Sequence, residues 1–154
     1  IICGYGRVGS WVGKAMESLK IPFIAVEYNQ RIVSELKDKG TLVIYGDPTE
    51  REVLEAADIK DARVIVIAIP DNNVQEAIIA QVQTIAPLVK IISRVHTNDE
   101  WERLKLLKVD KVIQPEFEAA IVIVRSMLIS MGKSREEIAQ KLKNLRLSRS
   151  QVKI

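Results

Sequence analysis

Strand and helix signals alternate strictly along the chain, a glycine-rich turn joins the first strand to the first helix, and residues 64–69 form a nearly uninterrupted apolar, largely β-branched run. Together these predict an α/β fold. Its centre is a doubly wound parallel sheet of six strands, followed by one long helix and one further amphipathic helix. The crossovers between parallel strands are expected to be right-handed.

Residues 1–3 read as the end of a short buried strand, and Gly4 to Gly9 as a turn. The next helix is expected over 10–20, with Val8, Val12, Ala15, Met16 and Leu19 on one face and Ile21-Pro22 as its stop. A second strand is expected over 23–26. The helix over 30–39 points Ile32, Val33 and Leu36 inward and ends at Gly40. The third strand covers 42–45. Thr49 with Glu52 reads as a capping box for a helix whose apolar face is Val53, Leu54 and Ala57. The run over 64–69 suits a central parallel strand covered on both faces. A long helix then starts at Pro70-Asp71-Asn72-Asn73 and reaches about residue 86. A strand over 89–92, a helix over 99–107 and a strand over 111–113 complete the alternation.

After Gln114-Pro115 the pattern changes. The helix expected over 116–131 carries Ala119-Ala120-Ile121-Val122-Ile123-Val124, which leaves it no polar side. A surface helix needs one apolar stripe, not an apolar circumference, so this helix must be covered from more than one direction. Gly132-Lys133 breaks it. A charged amphipathic helix follows over 134–145, opened by a Ser134-x-x-Glu137 capping box. The organisation expected is a nucleotide-binding domain over 1–115, C-terminal dimerisation helices over 116–146, and a linker over 147–154 leading to a missing downstream region.

Composition bounds the function. The chain has 154 residues, 47% of them apolar, enough for one domain with a real core. Its 23 Lys and Arg against 20 Asp and Glu leave a formal charge of +3, and no stretch interleaves basic and aromatic residues densely, so no nucleic-acid partner is expected. The single cysteine, Cys3, cannot form an internal disulfide and reads as a buried, inert thiol in a reducing compartment. No apolar run approaches the roughly 20 residues of a membrane span, and no signal peptide is visible. The chain starts at Ile1 inside its first strand and reads as a segment of something longer.

The run Gly4-x-Gly6-x-x-Gly9, between a strand and a helix, is a phosphate-binding pattern of Rossmann-type domains. Gly4 permits the tight turn, Gly6 lets backbone approach a phosphate, and Gly9 lets the helix pack on the sheet. Free N–H groups at the helix start then meet phosphate oxygens. Glu27, at the end of the second strand, is placed to take both ribose hydroxyls of an adenosine, and it would repel a 2′-phosphate. Asp47 lies past the third strand on the same edge, beside the adenine or its ribose, or else it only caps its turn. Arg7 reaches a phosphate or stands in solvent. Arg94 pairs with a phosphate or a carboxylate, or with neither. His96, the only histidine, is a catalytic base or a surface loop residue, and no metal site is expected. Tyr28, Tyr45, Trp11 and Trp101 are too scattered for a base-stacking platform and read as packing residues.

These residues resemble the TrkA-N or RCK domains, regulators of conductance of potassium. The resemblance runs over nearly the whole chain. It is carried by Gly4-Tyr5-Gly6-Arg7-Val8-Gly9, by Glu27 within Val26-Glu27-Tyr28-Asn29, and by Tyr45-Gly46-Asp47-Pro48-Thr49. It is also carried by Leu54 to Ile59 and by the segment from Leu107 to Glu116. Within that family, the glycine loop and the tail from Pro115 to Ala120 are most similar to domains attached to Kef-type monovalent cation/proton antiporters. The resemblance implies a regulatory domain, not an enzyme, on the cytoplasmic face of a membrane. It implies NAD(H), AMP or another adenine nucleotide as ligand. It implies a homodimer in which the 116–131 helix crosses to the other subunit, attached to a membrane-embedded channel or transporter. Carried over residue by residue, Gly4, Tyr5, Gly6, Arg7, Val8 and Gly9 surround phosphate. Glu27 with Tyr28 holds ribose, Asp47 sits by the adenosine, and Arg94 near the phosphates. Pro48 stands where the family usually has alanine; a first-turn helical position would accept it. A small NAD-dependent oxidoreductase and a vestigial dimerisation module remain the alternative readings.

Overall fold

The computed structural model describes residues 1–148. Along them run β1 (Ile2–Cys3), α1 (Arg7–Ser18), β2 (Ala25–Glu27), α2 (Gln30–Asp38), β3 (Val43–Tyr45), α3 (Arg51–Ala56), a 3-10 turn (Ile59–Asp61) and β4 (Val64–Ile67). Then come α4 (Asn72–Ile85), β5 (Lys90–Arg94), α5 (Asn98–Leu106), β6 (Lys111–Ile113), α6 (Pro115–Ser130) and α7 (Arg135–Leu147). The six strands form one all-parallel sheet in the order β3-β2-β1-β4-β5-β6. The order reverses between β1 and β4, so the carboxyl edge there is the switch point at which open α/β sheets take ligands.

The core lies between the sheet and the helices on one of its faces. Ile65 and Ile67 of β4, Ile91 of β5, Ile78, Ile79 and Val82 of α4, and Leu54, Ile59 and Leu104 pack there, nearly all excluded from solvent. Each buried aliphatic side chain of this size contributes about 1.5–3 kcal/mol. Cys3 belongs to the same cluster, fully buried, and burial pushes its thiol up to about 12.

Several boundaries differ from the sequence reading, each for a local reason. Helix α1 starts at Arg7, because the turn occupies only Gly4 to Gly6 and Gly6 is already the N-cap. Its fully buried positions are Gly9 and Gly13; of the expected aliphatic stripe, Val8, Val12 and Met16 are half-buried, while Ala15 and Leu19 are exposed. Strand β2 lies two residues later at its start than expected and includes Glu27. The expected Thr49–Glu52 capping box is not made. Thr49 donates to Asp47 instead, through its N–H at 2.9 Å and its hydroxyl at 2.8 Å, and Glu50 is the N-cap of α3. Pro48 therefore precedes the helix. It is buried at the second position of the turn closed by Glu50 N–H to the Asp47 carbonyl, where a fixed proline φ is favoured. Strand β4 stops at Ile67, and β5 starts at Lys90 and runs on to Arg94.

Helices α6 and α7 form a second, smaller cluster. Ile121, Ile138 and Leu142 are buried there, with Phe117, Val124, Leu128 and Leu145 packed on them. The Ser134–Glu137 capping box is made in both directions, and Arg146 grips Glu118 through two hydrogen bonds of 3.0 and 2.8 Å. Only part of the apolar circumference of α6 is covered within the chain. Val122, Ile123, Met127 and Ile129 remain exposed. Helix α7 extends through Leu147, one residue into the expected linker, and residues 149–154 lie outside the described part. No helix among the described residues is long and apolar enough to cross a membrane.

Candidate functional site

Parallel pairing brings the carboxyl ends of β1, β2 and β3 to one edge. Cys3 pairs with Val26, Glu27 with Tyr45, and the N–H groups of Gly4 and Gly46 donate to the carbonyls of Val26 and Glu27. The glycine loop, Glu27 and Asp47 thus follow three adjacent strand ends.

The glycines of the loop serve different ends. Gly4 has φ +84°, a backbone state that L side chains rarely adopt. A Cβ on Gly9 would run into the carbonyl oxygen of Gly4, so this glycine sets how closely α1 approaches the sheet. A Cβ on Gly6 would meet nothing within 4 Å. The protein interior does not demand glycine there, whereas a ligand approaching the backbone would. Helix α1 opens at Gly6 with no capping side chain and no acidic residue in its first turn. The first N–H groups of a helix have no intrahelical acceptor, and together with the helix dipole they form a place for an anion. Val8 is half-buried in that turn, and Arg7 is exposed beside it.

Glu27 is only 5% exposed, an unusual state for a carboxylate. Three backbone N–H groups hold it: Tyr5 on Oε2 at 2.7 Å, and Tyr28 at 3.0 Å and Asn29 at 2.9 Å on Oε1. The first of these ties the glycine loop to the end of β2. A carboxylate offers about four lone-pair positions, so the N–H groups leave room on Oε2 for a further donor. Receiving two hydroxyls, as the sequence suggested, would require one of those bonds to yield. Asp47 is exposed, and its Oδ1 is engaged by Thr49. Its turn-capping role is therefore real, and Oδ2 remains for a second donor.

The side chain of Tyr5 points away from this edge. Its ring lies over Gly13 and stacks on Phe23 at 6.3 Å between centroids, and burial followed by the Glu17 charge raises its hydroxyl pKa. Only its backbone N–H faces Glu27. Gly13 was not singled out from sequence; a glycine four residues after Gly9, on the same helical face, was the signal. Tyr28, Tyr45 and Trp11, expected to pack, are instead exposed, and only Trp101 packs against the core. Trp11 carries Lys14 over its ring at 4.6 Å.

Arg94 ends β5 and is separated from the glycine loop, which follows β1, by the intervening strand β4. It is 8% exposed. Its Nη2 lies 3.1 Å from Nε2 of His96, whose Nδ1 is 3.2 Å from Oε1 of Glu116. The loop histidine of the sequence reading is thus a bridge between a buried arginine and the first turn of α6. A groove of about 490 Å³ lies elsewhere, between α6 and α7, lined in part by Ile121, Val122 and Leu142. No cluster of three or more His, Cys, Asp or Glu side chains suited to a metal ion occurs among the described residues.

Comparison with known proteins fits this geometry into a family. The TrkA-N domain model matches residues 1–115. The glutathione-regulated potassium-efflux system protein KefC of Cronobacter sakazakii is 31% identical over 132 residues, 86% of this chain and 21% of that protein. The chain therefore spans about a fifth of the length of the curated relatives it matches. Among solved structures, the TrkA-N domain of the inner membrane protein YbaL of Escherichia coli superposes with a TM-score of 0.75 at 29% identity, over 82% of this chain and 91% of that one. The AMP-bound C-terminal domain of Kef from Shewanella denitrificans gives a TM-score of 0.83 at 25% identity, over 97% of this chain and 91% of that one.

Proposed function

The chain belongs to the TrkA-N domain family, and on that premise we propose that it is the nucleotide-sensing regulatory domain of a potassium channel or cation/proton antiporter, held at the cytoplasmic face of the membrane. The observation that carries the reading is the joint between Glu27 and the glycine loop. A buried carboxylate fixes the loop through the Tyr5 N–H and still has a free acceptor position, directly beside an uncapped helix start. A nucleotide places its phosphate at the N–H groups after Gly6, one ribose hydroxyl on Oε2 of Glu27, and a further hydroxyl or amino donor on Oδ2 of Asp47. Tyr28, exposed and next to Glu27, covers the sugar. Arg94 contributes only if the ligand extends across the switch point, as a dinucleotide would and AMP would not.

The AMP-bound Kef domain supports AMP as one such ligand, and NAD(H) shares its adenosine half. The oxidoreductase alternative draws no support from His96, which stands with Arg94 and Glu116 away from the glycine loop. Regulation requires two geometries of differing ligand affinity, since equal affinity shifts nothing. The exposed apolar side chains of α6 supply the means: a second copy laid across Val122, Ile123, Met127 and Ile129 completes their burial and makes a homodimer. Small-angle scattering with and without AMP or NADH tests the proposal. A dimer whose shape changes on saturation supports it. A monomer, or a dimer of identical shape in both states, removes it.

A further inference from the structure

An all-parallel sheet gathers every loop that enters a strand at one edge, opposite the edge that carries the glycine loop and Glu27. This amino edge has a composition of its own. Leu88, in the loop entering β5, is 96% exposed, and Leu106, at the end of α5 before β6, is 83% exposed. They are the two most exposed large apolar side chains among the described residues, and β5 pairs with β6. Leu19 and Ile21 before β2, and Leu42 before β3, are exposed at the other end of the same edge. Each of the four leucines has an exposed lysine within three residues: Lys20, Lys39, Lys90, and Lys105 with Lys108 on either side of Leu106. None of these lysines forms an ion pair among the described residues.

We propose that the amino edge of the sheet is a membrane-contact face: Leu88 and Leu106 dip among the acyl chains of an anionic lipid surface, and the lysines beside them lie among its headgroups. Such surfaces bind through buried apolar area together with attraction of basic residues to acidic lipids, and this edge supplies both. Its acids are engaged or offset nearby. Glu17 accepts from the Thr41 hydroxyl and Asp110 from the Ile91 N–H. Asp58 and Asp61 share their loop with Lys60 and Arg63, and Asp38 stands beside Lys37.

Helices α1, α2, α4 and α5 all end at this edge, and helix C-termini favour lysine on their own account. That explains the lysines and leaves the leucines without a structural purpose. A protein partner fits the composition poorly. Protein interfaces centre on aromatic side chains and arginine, and are poor in lysine. This edge is rich in lysine and, among the described residues, carries no exposed aromatic. Its leucines also stand on separate loops, so they form no single buried centre, whereas a fluid lipid surface receives each one separately. Only the presence of a membrane nearby rests on the regulatory reading; the nucleotide edge and the root of α6 lie at the opposite side of the sheet and stay free.

The test is sedimentation of the full chain with vesicles of phosphatidylcholine alone, and of phosphatidylcholine and phosphatidylglycerol in equal parts. The expected result is binding to the second only, weakened by salt. Net positive charge alone draws a protein to anionic vesicles, so two pairs of variants separate charge from surface. Leu88→Ser with Leu106→Ser leaves the charge unchanged and should lower the affinity about tenfold or more. Lys90→Glu with Lys108→Glu should lower it further than Lys141→Glu with Lys143→Glu, which changes the charge equally on α7. Equal losses in the two lysine pairs, or unchanged affinity in the leucine pair, would overturn the proposal. Failure of the native chain to prefer anionic vesicles would overturn it without any variant, and capture by immobilised polyglutamate in that case would assign the edge to an acidic protein. Calorimetry with AMP and NADH on the same chains keeps the two readings apart: nucleotide binding without vesicle binding removes the membrane face and leaves the nucleotide site standing.

Discussion

Replacing Glu27 by glutamine changes one oxygen into an amino group and leaves size and shape alone. The carbonyl oxygen of the new amide can still accept from Tyr28 and Asn29, which share Oε1 at 3.0 and 2.9 Å. That orientation turns the amino group onto the Tyr5 N–H, which Oε2 accepted at 2.7 Å, the shortest of the three bonds. Two donors then face each other. A part-buried N–H left without an acceptor costs about 1–3 kcal/mol, and bonds to a charged acceptor lie at the upper end of the range. The opposite flip is worse, since it opposes two N–H groups with one amino group. The expected loss is therefore about 2 kcal/mol for Glu27→Gln and more for Glu27→Ala, which strands all three. With a urea slope of about 2 kcal/mol/M, the unfolding midpoint should fall by about 1 M at unchanged slope. An unchanged midpoint for Glu27→Gln would refute the claim that Glu27 fastens the glycine loop. It follows that lost nucleotide binding in either variant would not by itself prove direct contact.

The glycines separate fold from ligand more cleanly. Gly9→Ala should destabilise by about 2 kcal/mol or more, the overpacking cost exceeding the roughly 1 kcal/mol that alanine gains in a helix; Gly6→Ala should cost less, about 1 kcal/mol or below, since its Cβ meets nothing and only the N-cap preference for glycine over alanine is lost. Chemical denaturation of the two variants side by side checks the contrast. Cys3 should resist thiol reagents in the native chain and react at once in urea, because burial holds its pKa near 12. The raised value also fixes a sign: the unfolded thiol ionises first, so stability is unaffected below pH 9 and falls as pH rises from about 9 toward 12. If the proposed homodimer forms through α6, Ile123→Glu on its exposed face should leave a monomer in sedimentation with the fold intact; a persisting dimer would place the interface elsewhere.

The sheet was legible because its signals are local and repeated. The run over 64–69 and the strict alternation around it fix a parallel doubly wound order, and the order seen follows. The Ser134–Glu137 capping box was legible for the same reason, while the similar Thr49–Glu52 pattern was not made, because the nearer Asp47 carboxylate captured Thr49. Helix α1 was legible only in part: Val8, Val12 and Met16 do turn inward, but the closest packing is through Gly9 and Gly13, whose missing side chains leave no apolar signal, and Ala15 and Leu19, expected on the same face, are exposed. In the site, residue types announced the glycine loop and Glu27. Sequence could not show that Tyr5 turns its ring toward Gly13, or that Arg94 and Glu116 meet at His96. The last two positions are 22 residues apart and join only through the β5–β6 pairing that brings Arg94 beside Ile113.

The central claim is that the backbone after Gly6 and the carboxyl edge beside it receive an adenine nucleotide, and calorimetric titration with AMP and NADH of the native chain and of Gly6→Ala tests it most directly. The account predicts saturable binding of at least one ligand, with one site per chain, weakened about tenfold or more in the variant, a loss of about 1.4 kcal/mol, while both proteins stay folded at the assay temperature. Absence of binding by both ligands, or equal binding by a Gly6→Ala protein of unchanged stability, would contradict it.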